Sequence, residues 1–255
     1  PSFNPLIIHV ADAGAARRLA WFNATALLLS RAFWPGPMTL ILPVRPGMLS
    51  RLALAGNPTV ALRVPAHPTA RALLAETAAP IAAPSANPSG RVSPTRSTHV
   101  VEGLPGMIDA VIDGGACPVG IESTILLPEA GRVLLLRPGG LTEEDVRRIT
   151  DLPVVRHTPD APNAPGQLTS HYAPAAPVRR NAVMARDGEL LVGFGPVKGE
   201  ISLSPTGDLV EAAASLFDVL RRADVTGRPI AVAPVPNHGL GLAINDRLRR
   251  AAAPR

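Results

Sequence analysis

The sequence predicts an α/β protein of two units joined by a proline-rich connector. Short apolar runs rich in β-branched residues alternate with stretches of helical periodicity along most of the 255 residues. Residues 155–178 interrupt this alternation with many prolines and no regular period, which is typical of a linker. A content of 46% hydrophobic and 18% charged residues is typical of a globular chain. We therefore expect one domain over residues 1–154 and a second over residues 179–255.

The first unit is predicted to start with a buried strand at residues 5–10 (PLIIHV). Residues 13–33 carry helical periodicity and end at Trp34-Pro35-Gly36-Pro37, a strong helix-breaking cluster. The remaining pieces of this unit are predicted as strands at 38–43, 59–64, 80–83, 109–113, 123–127 and 132–136, with a helix at 67–75.

A further helix is predicted from about residue 143 to residue 150. Thr142 is placed to cap it, and Asp145 follows three residues later in a near capping-box arrangement. Beyond the connector we expect strands at 189–194 and 229–233 and helices at 208–222 and 240–251.

Several classes of protein are excluded or disfavoured by what the sequence contains. No apolar run approaches the roughly 20 residues that a membrane-spanning helix needs, so no membrane association is expected. Cys117 is the only cysteine, which excludes an internal disulfide framework and favours a reducing, cytoplasmic location. There is no Walker-type loop, no GxGxxG and no His/Cys spacing typical of a metal site.

The net charge of +5 comes almost entirely from arginine, since Lys198 is the only lysine. Base composition of a GC-rich genome explains this bias as well as an anionic ligand does. The charges are dispersed rather than gathered in a block, so a nucleotide or phosphate ligand is permitted without being required. A double-stranded RNA or tRNA-binding module is the alternative, although the aromatic content of 3% offers few stacking platforms for nucleic acid.

Residues 83–95 (APSANPSGRVSPT) combine small and hydrogen-bonding side chains directly after a predicted buried strand. Loops at strand ends are where α/β folds bind ligands, and Ser85, Asn87 and Ser93 offer hydrogen bonds to phosphate or ribose while Arg91 adds charge. A surface turn has the same composition, so both readings remain open.

Two arginines stand in or at the end of apolar strands. Arg63 interrupts TVALRV and Arg137 ends VLLLR, where an unpaired charge is costly. Each either forms a structural salt bridge or anchors a carboxylate or phosphate in a cleft. His9, within PLIIHV, is by itself more typical of a core histidine. The hydroxyls of residues 120–125 (GIESTI) either bind a ligand or complete a turn.

The order and spacing of these segments resemble a known family. The runs FWPGPMTLIL, TVALRVPAHP, PIAAPSANPSGRVSPT, IDGG with PVGIESTIL, and LLRPGG resemble the YrdC-like catalytic domain. The segment APGQLTSHYAP looks like the linker of the Sua5 type, and GDLVEAAASLFDVLRRAD with GLGLAINDRLRRAA looks like the Sua5 domain. This resemblance to the Sua5/YrdC/YciO family covers essentially the whole chain. It implies a YrdC-like twisted open mixed sheet and a second, smaller Rossmann-like Sua5 domain.

The resemblance also implies a reaction. Members of the Sua5 type join L-threonine, bicarbonate and ATP, with Mg²⁺ accompanying the nucleotide, into L-threonylcarbamoyladenylate and release pyrophosphate. The expected partners are these small molecules and the threonylcarbamoyl-transferase machinery that modifies tRNA, with RNA binding as a further possibility. Such chemistry requires positioning and charge neutralisation rather than a covalent nucleophile.

Site residues follow from the resemblance by position. The ATP-contacting positions of the family are matched by Asn4, Thr59, Ser85, Ser93, Arg137 and Tyr172. The threonine-contacting positions are matched by His9, Arg63, Ala83 and Ser123. Ser85 and Asn87 match the serine and asparagine of the family's catalytic Lys-Arg-Ser-Asn set, and Tyr172 is expected to close over the nucleotide as a lid.

The family's lysine and arginine form a K-x-R pattern that immediately precedes the segment matched here by residues 1–5. This chain begins after that pattern, and we expect it to lack the first strand and helix of the catalytic domain. Their absence is expected to leave an exposed sheet edge or a hole in the core.

Overall fold

The computed structural model describes residues 5–157 and 170–254, which form two compact units. Residues 5–84 and 122–157 make up the first unit, and all other described residues make up the second. The second unit thus contains residues 85–121 as well as the C-terminal part of the chain.

The strands and helices of the described residues are numbered in chain order. The strands are β1 (Ile7–His9), β2 (Met38–Pro43), β3 (Thr59–Arg63), β4 (Ile81–Ala82), β5 (Thr124–Glu129), β6 (Arg132–Arg137), β7 (Val154–Arg156), β8 (Val178–Arg179), β9 (Leu190–Gly193), β10 (Ile201–Ser202) and β11 (Ile230–Val232). The helices are α1 (Ala13–Leu19), α2 (Ala24–Phe33), α3 (Pro68–Thr77), α4 (Ser97–Gly103), α5 (Glu143–Ile149), α6 (Leu209–Val225) and α7 (Leu240–Ala251).

The first unit is built on a seven-stranded mixed sheet in the order β4-β1-β3-β2-β5-β6-β7. The pairs β1/β3, β2/β5 and β6/β7 are parallel, and β4/β1, β3/β2 and β5/β6 are antiparallel. As a result the carboxyl ends of β1, β3 and β6 and the amino ends of β2 and β5 meet at the same end of the sheet. The predicted twisted, mixed α/β sheet is confirmed.

The two faces of this sheet are covered differently. Alternate strand residues on one face pack with residues of α1, α2 and α5 in a large apolar cluster that includes Ile8, Leu40 and Leu62. The apolar cluster on the opposite face is smaller and its buried members come only from strands: Ile7, Ile41, Ala61, Ile125, Leu134 and Leu136. Polar side chains at the sheet end described above share this second face.

The second unit contains a four-stranded parallel sheet in the order β10-β9-β11-β8. Its core joins the sheet to α6 and α7 and also includes Val92 and Ile121 from the 85–121 segment. Asp208 caps α6 by accepting hydrogen bonds from the backbone N–H groups of Val210 and Glu211. The predicted second α/β unit is therefore present, with a parallel sheet.

The helix predicted over residues 13–33 is wrong as a single element, because the chain forms two helices there. Ala20 leaves α1 in an extended conformation, and the backbone N–H of Trp21 donates to Pro43 O at 2.9 Å. Asn23 then caps α2, its Oδ1 accepting from the backbone N–H of Ala26 at 2.8 Å. Asparagine competes with the helix for backbone hydrogen bonds, so a helix start at this position has a physical cause.

The strand predicted at residues 109–113 is also wrong, since the structure shows no strand there. A strand needs a neighbour to pair with its backbone, and this segment is not part of either sheet. Helix α4 was missed, because its sequence STHVVEG is rich in β-branched residues and no side chain caps it. Thr142 and Asp145, by contrast, form the predicted capping box of α5.

Half of the predicted linker, residues 158–169, lies outside the described residues. At its two ends, residues 155–156 belong to β7 and Val178 belongs to β8. The domain boundaries at residues 154 and 179 therefore stay a prediction.

Candidate active site

Polar side chains on or next to five neighbouring strands, β1, β3, β2, β5 and β6, lie at one end of the first unit's sheet. His9 and Arg63 end β1 and β3 as register partners, and Arg137 ends β6 as the partner of Ile125. Residues two apart on a strand share a face, so His9 lies on the same face as Ile7, and Arg63 on that of Ala61. The gathered side chains thus occupy the face whose apolar cluster is built from strands alone.

His9 and Arg63 form a neutral acceptor beside a positive donor. The Nε of Arg63 donates to Gly36 O at 3.2 Å, which orients its guanidinium group. Burial and, to a smaller extent, the charge of Arg63 lower the pKa of His9 to about 4. Hydrogen bonding to the backbone of Ile7 and Ile81 raises this pKa, but by less than the other two effects lower it. His9 is therefore uncharged at neutral pH.

The imidazole of His9 also has an unused hydrogen-bonding atom. Its Nδ1 is buried and has no hydrogen-bond partner among the described residues. A buried polar atom without a partner is costly in a folded protein, and a ligand that supplies the missing hydrogen bond relieves this cost. The pair therefore suits a ligand with a carboxylate for the guanidinium and a polar group for the imidazole.

Ser123, immediately before β5, connects β2 with β6. Its hydroxyl lies 2.7 Å from Thr39 Oγ1, and its carbonyl oxygen accepts hydrogen bonds from Nε and Nη2 of Arg137 at 3.2 and 2.9 Å. Arg137 is only 4% exposed, so its charge is held inside the protein by these contacts. A residue predicted to bind threonine and one predicted to bind ATP are consequently in direct contact.

Gly139 permits this close packing. A Cβ atom at that position would lie 2.4 Å from Glu122 O and from Thr124 N, which is far inside van der Waals contact. The glycine after Pro138 therefore lets the chain leaving β6 pass directly against the backbone around Ser123.

Ala83 and Thr59 lie farther along the same sheet. The backbone N–H of Ala83 donates to Ile7 O at 3.2 Å, which places Ala83 beside β1 next to the strand pair that carries His9. Thr59 is at the opposite end of β3 from Arg63, four residues away and on the same face. Four residues of extended strand span about 13 Å, so the structure does not bring Thr59 next to Arg63.

Residues 85–95, called the 85–95 segment below, lie in the second unit and include several of the predicted site residues. The side-chain amide of Asn87 donates to the carbonyl oxygens of Pro88 and Arg91 at 2.8 and 3.2 Å and so closes a turn. Its Oδ1 is buried and has no partner among the described residues. Ser85 is exposed, whereas Ser93 is 5% exposed. This segment therefore has a defined backbone and an unused acceptor.

Tyr172 is buried in the core of the second unit, with 1% of its surface exposed. Its ring stacks on Phe217 at 5.4 Å between centroids, and the guanidinium carbon of Arg247 lies 5.6 Å from the ring centroid. Its φ of 59° is left-handed, which is uncommon for a bulky residue. A lid role would require this ring to leave its packed position.

Asn4, which is predicted to contact ATP, lies outside the described residues.

Sequence reasoning missed Thr39, whose hydroxyl contacts Ser123 across 84 residues of chain. The available signal was that Thr39 is the only hydroxyl in the apolar strand MTLILP.

Within the described residues, no group of three or more His, Cys, Asp or Glu side chains is placed to hold a metal ion. No helix among them is long and apolar enough to cross a bilayer.

Comparison with known proteins gives consistent matches over the whole chain. The family model Sua5_yciO_yrdC, described as "Telomere recombination", matches residues 1–139, and the model described as "Threonylcarbamoyl-AMP synthase, C-terminal domain" matches residues 141–253. A threonylcarbamoyl-AMP synthase of Bacillus subtilis strain 168 is 38% identical over 100% of this chain and 81% of its own length. One of Pyrococcus abyssi is 39% identical over 99% of this chain and 81% of its own length.

A similar solved structure is P. abyssi Sua5 in complex with L-threonine. It superimposes with a TM-score of 0.89 at 37% identity, covering 99% of this chain and 81% of that chain.

Proposed function

This chain belongs to the Sua5/YciO/YrdC family, and we propose that it synthesises L-threonylcarbamoyl-AMP. The amine of L-threonine and bicarbonate form a carbamate with loss of water. A carbamate oxygen then attacks the α-phosphorus of ATP, and the bond from that phosphorus to pyrophosphate breaks. The products are the mixed anhydride L-threonylcarbamoyl-AMP and pyrophosphate.

The observation that carries this proposal is the register pair of His9 and Arg63 on the strand-lined face of the sheet. The guanidinium of Arg63 suits the carboxylate of an amino acid, and charge-assisted hydrogen bonds of this kind are among the stronger ones in proteins. The neutral imidazole of His9 suits the ammonium or hydroxyl group of the same molecule, because its Nδ1 is buried and unpartnered among the described residues. Threonine has all three groups.

The contact between Ser123 and Arg137 supports a second part of the proposal. Arg137 is buried and is held by both the carbonyl and the hydroxyl of Ser123. If the guanidinium neutralises phosphate oxygens of ATP, the nucleotide lies beside the residue that contacts threonine. That juxtaposition lets protein positioning and charge lower the barrier without a covalent intermediate.

The remaining parts of the proposal rest on the family. We propose that Mg²⁺ accompanies ATP, that bicarbonate is the one-carbon donor, and that the product passes to a threonylcarbamoyl-transferase that modifies tRNA. A cytoplasmic location is proposed with them. Similarity to synthases over nearly the full chain favours catalysis over the alternative of a non-catalytic RNA-binding module.

Calorimetric titration of L-threonine into the chain, with and without a non-hydrolysable ATP analogue and Mg²⁺, tests the proposal. We expect threonine to bind more tightly than serine, and Arg63→Ala to weaken threonine binding by about 10- to 100-fold, the usual loss for a charged hydrogen-bonded group. Arg63→Lys should recover only part of this loss, because lysine lacks the planar fork.

Arg132→Ala is the matched control, since Arg132 is exposed, lies at the opposite end of β6 from Arg137 and pairs with Glu129. It should bind threonine as the unsubstituted chain does. Absence of threonine binding to the unsubstituted chain, or an equal loss in R132A and R63A, would contradict the proposal.

A further inference from the structure

Helix α6 is hydrogen-bonded to the segment that carries Ser85, Asn87 and Ser93. The Nη2 of Arg221 donates to Val92 O at 2.6 Å, and its Nε donates to Ser93 O at 3.3 Å. These carbonyl groups are 129 and 128 residues away in the sequence, so the contacts are tertiary rather than local. A single arginine thereby holds two consecutive peptide groups of the 85–95 segment.

Other contacts within the second unit support the same attachment. Val92 belongs to the apolar core that contains α6, and the carbonyl of Gly90 accepts a hydrogen bond from the backbone N–H of Ala173 at 2.8 Å. Asp218, almost one helical turn before Arg221, pairs with Arg96 Nε at 3.1 Å, just after the segment. The segment is thus fixed at its middle and just beyond its end, while Ser85 at its start is exposed.

Arg221 is suited to hold a backbone rather than to bind a ligand by itself. Its guanidinium is partly buried, which lowers its pKa, and two of its nitrogens are already directed at carbonyl oxygens. It projects from a helix of 17 residues whose buried side runs from Ala212 to Ala223. A side chain on a rigid, well-packed helix holds its partner more accurately than one on a loop.

We infer that Arg221 is a positioning residue, which holds the backbone of the 85–95 segment in the conformation that binds the nucleotide. The inference rests on the proposed function and on the prediction from the family resemblance that Ser85 and Ser93 contact ATP. It gives the C-terminal part of the chain a task in the reaction: α6 supports the nucleotide-binding segment. The threonine residues His9, Arg63, Ala83 and Ser123 belong to the other unit and are not held in this way.

The test compares Arg221→Ala, Arg221→Lys and the control Arg222→Ala in the full chain. Arg222 is the next residue of the same helix, is exposed and carries the same charge, so R222A reports the effect of lost charge alone. The measurements are the affinities for a non-hydrolysable ATP analogue and for L-threonine, the thermal midpoint, and amide hydrogen exchange over residues 85–95.

We expect R221A to weaken binding of the ATP analogue about tenfold or more, as for loss of hydrogen bonds from a charged group, and to change threonine binding by less than about twofold. Exchange should become faster in residues 88–93 of R221A and stay unaltered in R222A. R221K should restore part of the nucleotide affinity, because one ammonium can still donate to one of the carbonyls.

Equal nucleotide affinity in R221A and R222A would overturn the inference, and so would a parallel loss of threonine affinity in R221A, which indicates a general structural defect. If the unsubstituted chain bound no ATP analogue, the proposed function would fail while hydrogen exchange still decided the positioning: faster exchange in R221A supports it, and unaltered exchange overturns it.

Discussion

His9 shows how a single residue can couple the stability of the fold to the chemistry of the site. In the folded chain its pKa is lowered from 6.5 to about 4, mainly because burial disfavours the charged form. In the unfolded chain the imidazole is exposed and keeps its ordinary pKa. Between these two pH values the unfolded chain binds more protons than the folded chain, so stability falls as the pH is lowered from about 6.5 to about 4.

This linkage predicts the behaviour of His9→Gln. The variant should lose less stability than the unsubstituted chain between pH 7 and pH 4, with a difference of up to about 3 kcal/mol, since one pKa unit corresponds to about 1.4 kcal/mol. Urea unfolding followed at several pH values measures it. His238→Gln, which replaces an exposed histidine by the same residue, is the matched control for the substitution itself. Identical pH profiles for H9Q and the unsubstituted chain would contradict the burial of a neutral His9.

At the scale of single residues, the sequence alone indicated which side chains were unusual but not what they touch. Arg63 and Arg137 were visible as charges in apolar strands, and both are indeed held by backbone carbonyl oxygens, those of Gly36 and Ser123. The local sequence around Thr39 and Arg221 gave little indication that these residues make long-range contacts. Their partners are 84 and about 128 residues away, and such pairings depend on the fold rather than on local pattern.

At the scale of elements, one glycine controls how the 85–121 segment lies against α6. Gly120 has a φ of 71°, and a Cβ there would lie 2.3 Å from Ala213 O and 2.4 Å from Ala214 O. Both the backbone conformation and the close approach therefore require glycine. Gly131, in the turn between β5 and β6, has a φ of 81° but open space around its Cα.

The two glycines allow conformation and packing to be separated. Gly131→Ala should lower the thermal midpoint by about 2–4 °C, the expected effect of roughly 1 kcal/mol of left-handed strain. Gly120→Ala adds a collision with two backbone carbonyls of α6 and should lower the midpoint at least about twice as far. Scanning calorimetry of both variants measures the difference. Equal midpoints for the two variants would contradict this prediction, because they would show that α6 moves away from the added methyl group without loss of stability.

Element prediction from sequence worked where local signals and tertiary partners agree. The bounds of β2 and α7 match the predicted ranges, since a breaker or glycine precedes each and apolar periodicity fills it. It failed at residues 109–113, where the local pattern is strand-like but the segment joins neither sheet. It failed at α4 for the opposite reason, since tertiary context there overrides a weak helix propensity.

At the scale of the whole molecule, the two compact units do not follow the order of the chain. Residues 85–121 lie between the two parts of the first unit in sequence, yet they belong to the second unit. Through Val92 and Ile121 they contribute buried side chains to its core, and their backbone receives both hydrogen bonds of Arg221. A folded C-terminal unit therefore depends on a segment that the family models assign to the preceding domain.

This dependence predicts that residues 170–255, expressed alone, have an incomplete core. Burying a valine or an isoleucine contributes about 1.5–3 kcal/mol each, so the fragment should melt early and bind a hydrophobic dye. A synthetic peptide of residues 85–121, added in excess, should raise its thermal midpoint, because a ligand that binds only the folded state stabilises it by mass action. The same peptide with Val92→Asp should have little effect, since it would place a carboxylate in the apolar core. If neither peptide altered the melting of the fragment, the C-terminal unit would be independent of the 85–121 segment, and α6 could not be the support on which that segment is positioned.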